Sequence, residues 1–244
     1  RDTAEKLAAL YAERARMLSE RGMSTEDLLP RYACEKCSDT GYLENGELCP
    51  CARLKLAGRK YSSSGISENA GFDRFNENIF KDPEQLKRTR RAAEICAQYA
   101  ENLEIGGAKG LLLMGETGLG KTFLMDSIGR EAIRRGYSVK KYTAYNLIDA
   151  TLRAVRRHEA GPELTGAELL LLDDLGTEPM IPGVTIETLF AAINERQFAG
   201  KATVIATNLT KNELFTQYGE RIFSRLFASR EYAAITLRGK DLRM

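Results

Sequence analysis

A chain of 244 residues that is 43% hydrophobic can hold one sizeable core with a small appendage, or two modest domains. Its formal net charge of +2 excludes attraction to nucleic acid through a global field, so any such contact must come from local patches. No apolar run approaches the ~20 residues that span a bilayer, which excludes a membrane-crossing helix from this sequence and makes the cytoplasm the expected compartment.

Residues 2–21 place Leu7, Leu10, Tyr11, Arg14, Met17 and Leu18 on an i, i+3, i+4 stripe among charges. This predicts an amphipathic helix that must bury the stripe, on its own domain or on a partner. Ser24-Thr25-Glu26-Asp27 then reads as the cap of a short helix that Pro30 stops. Cys34-x-x-Cys37 follows, and after it Cys49-Pro50-Cys51. Two thiolates from one tight turn can reach a single ion, and Zn²⁺ takes four such ligands at about 2.3 Å in a tetrahedron. Gly41 and Gly46 suit a hairpin that returns the second pair to the first. With all four positions filled by protein, the expected zinc site is structural, with no open position for hydrolytic chemistry; two disulfides or four free thiols are the alternatives. Residues 57–70, with Ser62-Ser63-Ser64-Gly65, have the composition of a linker.

Gly71-Phe72-Asp73-Arg74-Phe75 opens the expected nucleotide domain, with its aromatics either in the core or near an adenine. Asp82-Pro83-Glu84 starts a helix to about Leu103, in which Lys87, Arg88, Arg90 and Arg91 form a solvated or nucleic-acid-facing side and Cys96 reads as a core thiol. The apolar run Leu111 to Met114 predicts a buried strand, and helical spacing resumes from Phe123 to Arg135. Between them lies Gly115-Glu116-Thr117-Gly118-Leu119-Gly120-Lys121-Thr122, the G-x-x-x-x-G-K-[ST] phosphate loop in its proper strand–turn–helix context. Glycines allow a tight turn whose N–H groups point inward, and the helix start adds its positive dipole end. Lys121 would reach the β- and γ-phosphates of ATP, and the Thr122 hydroxyl would ligate Mg²⁺.

A second strand is expected over Val139 to Thr143, then a helix from Tyr145 to His158 exposing Arg153, Arg156 and Arg157. His158 has no acid–base partner nearby in sequence and reads as a surface residue. Leu169-Leu170-Leu171-Leu172 predicts a central parallel strand ending in Asp173-Asp174, where ligands bind in open α/β sheets. Asp173 would hold Mg²⁺. Asp174 stands where many such ATPases place a water-orienting glutamate, and its shorter reach calls for a closer water or slower hydrolysis. A helix over Val184 to Phe198 and a strand over Ala202 to Ala206 deliver Asn208 toward the γ-phosphate. A helix from Gly219 to Leu226 carries Arg221 and Arg225 one turn apart, and a last strand, Ala233 to Leu237, precedes Arg243.

In this order over residues 71–244, GETGLGKT, LLLLDDLGTE, VIATN and GERIFSRL resemble the AAA+ ATPases and, among these, the DnaC/DnaI-type bacterial replicative helicase loaders. Cys-x-x-Cys-x-Asp-Thr-Gly-Tyr with the later Cys-x-Cys is similar to the zinc-bearing N-terminal part of Gram-positive and phage-encoded loaders. The resemblance implies an α/β AAA+ P-loop NTPase core with a central parallel sheet, preceded by a small helical and zinc-binding module; because the chain stops soon after the last strand, the helical lid of many AAA+ proteins is expected to be absent. The division it implies is module 1–56, linker 57–70 and ATPase domain 71–244. It further implies ATP hydrolysis, with Asn208 as the first sensor and Arg225 as the arginine finger reaching a neighbouring subunit's ATP. Arg221 is a second candidate for that contact, and Arg243 matches a late sensor-like arginine. The partners implied are a replicative ring helicase, gripped by residues 1–56, and single-stranded DNA, in a homo-oligomer or helicase-bound assembly with no membrane. A transposition helper ATPase of the IstB type shares this core but usually lacks the cysteine-rich module. A P-loop kinase would need neither Asn208 nor Ser224-Arg225-Leu226, and a nucleotide-gated binding protein that barely hydrolyses ATP stays open because of Asp174.

Overall fold

Apolar runs without alternation become strands buried on both faces, and two such runs, Leu111 to Met114 and Leu169 to Leu172, lie inside the sheet they help to build. The computed structural model describes residues 2–28, 30, 32–52, 64–67, 69–103, 110–162, 164–227 and 231–243. It divides into two compact units, Arg1–Ala52 and Arg53–Met244.

The first unit opens with α1 (Asp2–Ser19). Leu7, Leu10, Tyr11 and Met17 are each at least 46% exposed, so the apolar stripe is not covered by the described residues. Ser24 caps the single turn Thr25–Leu28: its hydroxyl accepts the Glu26 N–H at 3.2 Å, and its own N–H donates to Asp27 Oδ2 at 2.8 Å. The expected hairpin is present as an antiparallel bridge between Tyr42 and Leu48, with Gly41 and Gly46 at φ 83° and 81°. Those left-handed conformations are cheap for glycine alone.

The second unit is built on five parallel strands in the order β2-β3-β4-β1-β5. These are β1 (Gly110–Met114), β2 (Val139–Thr143), β3 (Leu169–Leu175), β4 (Ala202–Thr207) and β5 (Tyr232–Thr236). The helices are α2 (Pro83–Glu101), α3 (Lys121–Arg134), α4 (Ala144–Arg157), α5 (Thr185–Phe198) and α6 (Lys211–Phe227). Alternate strand residues point to opposite faces, which makes two cores. Leu111, Leu113, Leu169, Leu171 and Val204 pack with Ala92 and Cys96 of α2 and Ile128 of α3. Leu112, Met114, Leu172 and Ile205 pack with Leu147 of α4, Leu189 of α5 and Leu214 and Ile222 of α6. Cys96 is fully buried, and burial pushes its thiol up to about 12. Among the described residues, no helix is long and apolar enough to cross a membrane.

Three features depart from the sequence reading. Ile66, in a stretch with linker composition, is buried in the first core; 57–63 and 68 of that stretch lie outside the described residues. The helix expected from Gly219 is present, but a helical segment from Lys211 precedes it, joined to it across a kink at Gly219, φ 74°. The N-terminal signal of that segment is a capping box: Thr210 Oγ1 accepts the Glu213 N–H at 3.3 Å, and Glu213 Oε2 accepts the Thr210 N–H at 2.7 Å. Finally, β3 carries a register shift between Leu172 and Leu175, at the two aspartates.

Arg196 of α5 is fully buried and spends its guanidinium on backbone. It donates to the carbonyls of Leu164, Ala167, Glu168 and Ala202 and to Thr203 Oγ1 at 2.6–3.1 Å, while burial lowers its pKa to about 10. One side chain thus ties the approach to β3 to the start of β4. Arg196→Met should leave these acceptors dry and unpaired and cost about 3 kcal/mol or more, read as a lower urea midpoint at unchanged slope.

Candidate nucleotide-binding site

The parallel register brings the C-terminal ends of β1, β3 and β4 together: Met114 lies opposite Thr207, and Thr207 opposite Leu175. Everything expected to touch nucleotide leaves the sheet from that edge, except Arg221 and Arg225. After β1 the chain turns through Gly118 and Gly120 at φ 80° and 88° and enters α3 at Lys121. A Cβ on Gly118 would lie 1.9 Å from Asp241 Oδ1, so side-chain atoms are excluded there by space as well as by backbone conformation. Gly120, the residue before α3, offers no side-chain cap, so the first amides of the helix keep their capacity for an anion.

Lys121 is 8% exposed and donates from Nζ to the carbonyls of Gly115 at 2.7 Å and Glu116 at 2.8 Å. Burial pulls its pKa down, opposed by the charges of Asp174 and Asp173. Thr122 Oγ1 donates to Asp173 Oδ1 at 3.2 Å. The β3 bulge splits the two aspartates by environment. Asp173 is buried, whereas Asp174 is exposed, left-handed at φ 53°, and bonded through its N–H to Asp173 Oδ1 at 3.1 Å. Partial desolvation at the strand end, and then the neighbouring Asp173 charge, raise the Asp174 pKa. At the end of β4, Thr207 Oγ1 donates to the Leu175 carbonyl at 2.6 Å and accepts the Leu209 N–H at 3.1 Å, pinning the turn that presents Asn208.

These groups surround a cavity of about 660 Å³. Thr117 to Thr122, Asp174, Asn208 and Arg243 line its polar side, and Phe75, Ile79 and Phe80 its apolar side. Phe75 stands 5.7 Å from Phe80 and 6.4 Å from Phe123, ring centre to ring centre, so it serves the core and the cavity together. Leu119 is 3% exposed and packs inward, while Glu116 lines an adjoining hollow with Asn208. Amides, an ammonium and a hydroxyl–carboxylate pair at one end and aromatic carbon at the other fit a nucleoside triphosphate. The 3.2 Å convergence of Thr122 and Asp173 supplies the hard oxygen ligands that Mg²⁺ takes.

The segment after β5 reaches the phosphate loop. Leu242 N–H donates to the Gly118 carbonyl at 3.0 Å, and Arg243 pairs with Asp241 at 3.0 and 2.6 Å. That pairing holds the Asp241 carboxyl down at about 2. Gln85 of α2, buried, fastens the same segment through Lys240, donating at 2.8 Å and accepting at 3.0 Å. No sequence signal marks Gln85; it reads as one more polar residue in a first helical turn. Arg221 and Arg225 do not line the cavity. Their guanidinium carbons sit 4.2 and 6.0 Å from the Phe190 ring centre, and Arg225 is also 5.9 Å from Phe198.

In the first unit the sulfurs of Cys34, Cys37, Cys49 and Cys51 all lie within 4.8 Å of one another, and all five cysteines of the chain are thiols. Asp39 Oδ2 and Oδ1 accept the N–H groups of Ala33 and Cys34 at 2.9 and 3.0 Å, Thr40 Oγ1 donates to the Cys37 carbonyl at 2.6 Å, and Cys49 N–H donates to the Gly41 carbonyl at 2.8 Å. Ser38 and Asp39 at φ 46° and 61° close the knuckle. A hydrogen bond from Cys51 first, and others after it, bring the Cys34 thiol down to about 7, while bonds to Cys37 and Cys34 push Cys51 up to about 12. Four sulfurs this close do not all ionise unaided, and a dication would let them, so the cluster fits zinc.

Residues 103–225 match the family model described as IstB-like ATP binding protein. The replicative helicase loader DnaI of Bacillus subtilis is 25% identical over 155 residues, which are 60% of this chain and 49% of that protein. An ATP-binding protein of insertion sequence IS5376 from Geobacillus stearothermophilus is 32% identical over 122 residues, 49% of this chain and 46% of its own. The chain therefore spans about half the length of each of these curated relatives. The crystal structure of the DnaC helicase loader superposes with a TM-score of 0.59 at 21% identity, covering 70% of this chain and 98% of that one, and so shares the fold. With half of its length matched to the family and the AAA+ P-loop core in place, the chain belongs to the IstB-like ATP-binding proteins.

Proposed function

We propose that this protein binds and hydrolyses Mg²⁺-ATP in order to load a replicative ring helicase onto single-stranded DNA. The observation that carries the nucleotide half is the contact of Thr122, which lines a cavity beside the phosphate loop, with the buried Asp173. Bound Mg²⁺-ATP supplies the scissile phosphoanhydride and the charge that its hydrolysis redistributes. The chain's own groups do the rest. The Thr117 to Thr122 amides hold phosphate oxygens. Lys121 exchanges the Gly115 and Glu116 carbonyls for the β- and γ-phosphates, and Thr122 and Asp173 would hold the metal. Asp174, raised in pKa and exposed, orients the attacking water and accepts its proton, while Asn208 fixes that water against the γ-phosphate. Arg243 reaches the phosphates after leaving Asp241. Arg225, with Arg221 beside it, serves the site of an adjacent subunit, where such a finger is worth roughly 10³–10⁵ in rate.

The loader role rests on the relationship to DnaI and on the four converging thiols, which give the first unit a rigid body for gripping a helicase. Residues 1–56 are that module in this reading, 57–70 the connection and 71–244 the ATPase. A second reading, helper ATPase of transposition, is favoured by the match to the insertion-sequence protein. Mixing the purified chain with a ring helicase, with and without ATP, should give a complex whose mass depends on nucleotide; a complex formed only with a transposase would select the second reading.

Two further outcomes are expected. Lys121→Ala should weaken ATP binding at least tenfold by calorimetry, since a charge-assisted contact to phosphate is worth about 1.5–3 kcal/mol. Elemental analysis should find zinc bound to the intact chain, and Cys34→Ser should release it and loosen the amides of residues 33–51 in hydrogen exchange.

A further inference from the structure

Behind Asp173 lies buried charge to which the mechanism above gives no task. Lys141, on β2, places Nζ 2.7 Å from Asp126 Oδ1 and 3.1 Å from Asp173 Oδ2. The three side chains are only 12%, 3% and 4% exposed. Asp126 lies one helical turn beyond Thr122 on α3, so one helix supplies both the expected metal-binding hydroxyl and the anchor of the ammonium. Its other oxygen accepts the Ser67 N–H at 3.2 Å.

The two oxygens of Asp173 are therefore divided. Oδ2 is taken by Lys141, and Oδ1 meets the Thr122 hydroxyl at 3.2 Å and the Asp174 N–H at 3.1 Å. A carboxylate held on one side presents a single defined oxygen on the other. Replacing all three side chains by apolar ones would serve stability about as well, so burial of this cluster is not by itself a reason for its charges. Lys141 does not line the cavity, so it does not touch a nucleotide there directly; its contact with the site is Asp173.

We propose that Lys141 is a positioning residue for the magnesium-binding carboxylate: it occupies Oδ2 of Asp173, fixes Oδ1 beside Thr122, and offsets the repulsion between Asp126 and Asp173. Asp126 holds the ammonium in place, and through Ser67 the same triad receives the chain segment that enters the ATPase unit. This rests on the nucleotide reading of the site and extends it to the residues that orient the metal ligand.

The test uses the full chain, a fluorescent ATP analogue titrated in EDTA, and Mn²⁺ titrated by electron paramagnetic resonance into nucleotide-saturated protein. Lys141→Met should keep metal-free nucleotide affinity within about twofold while raising the Mn²⁺ half-saturation concentration ~10-fold or more, the usual scale for a partner that orients a metal ligand. Lys141→Arg should recover part of that loss, and Asp126→Asn should show a smaller shift in the same direction. Wild-type Mn²⁺ half-saturation in Lys141→Met would overturn the proposal and leave an ordinary ion pair. Should Lys141→Met fail to fold, an unchanged Mn²⁺ midpoint in Asp126→Asn would overturn it equally. Wild-type protein that binds no nucleotide at all would instead defeat the reading of the site itself.

Discussion

Register in a parallel sheet is the constraint on which the site depends. β4 lies between β1 and β3 and pairs with both, so Met114, Thr207 and Leu175 end at one level and three turns open toward the same space. A slip of one residue would turn each strand's side chains to the other face and exchange the contents of the two cores. The cores resist this because they differ: one receives α2 and α3, the other α4, α5 and α6. Hydrophobic packing on both faces thus fixes polar geometry at the edge. The Thr122–Asp173 contact at 3.2 Å expresses at the strand ends what the buried leucines decide within the sheet.

Charge in and behind the site is arranged so that Lys121, Lys141 and Arg243 each already hold an opposite partner or a carbonyl. Lys121 holds two loop carbonyls, Lys141 bridges two carboxylates, and Arg243 pairs with Asp241. In the function proposed, nucleotide binding is an exchange of partners for the buried Lys121, and exchange costs less than stripping a solvated cation. Lys141 differs in kind. Its partners are both protein groups inside the unit, so it keeps them whatever occupies the cavity.

Much of this was legible in the sequence, for physical reasons that can be named. The phosphate loop, the β3 aspartates and the cysteine pairs are local patterns in which chemistry requires particular residue types at short spacing, and β1 and most of β3 are plain apolar runs. Helix ends were less visible: Thr210 and Glu213 form a capping box, but the glycine at 219 drew the boundary to the kink. Invisible were contacts between residues far apart in the chain. Gln85 meets Lys240, Arg196 meets carbonyls of the β3 approach, and Lys141 meets Asp126 and Asp173, none at a spacing that a motif could encode. The bulge at Asp174 also escaped, because a left-handed aspartate leaves no trace in an apolar pattern.

Arg221 and Arg225 take the argument one step further. They sit on α6 beyond the Gly219 kink, stacked on Phe190, and Arg225 also faces Phe198, which is 80% exposed. Aromatic faces hold a guanidinium in place without neutralising it as a carboxylate would. A solvent-facing phenylalanine beside such a pair is what a protein–protein contact buries at low cost. Because neither arginine lines the cavity of its own chain, a catalytic role for either requires a second subunit to bring its site to this edge. The same sequence element that would complete the chemistry would then also report assembly, making hydrolysis conditional on the neighbour's arrival.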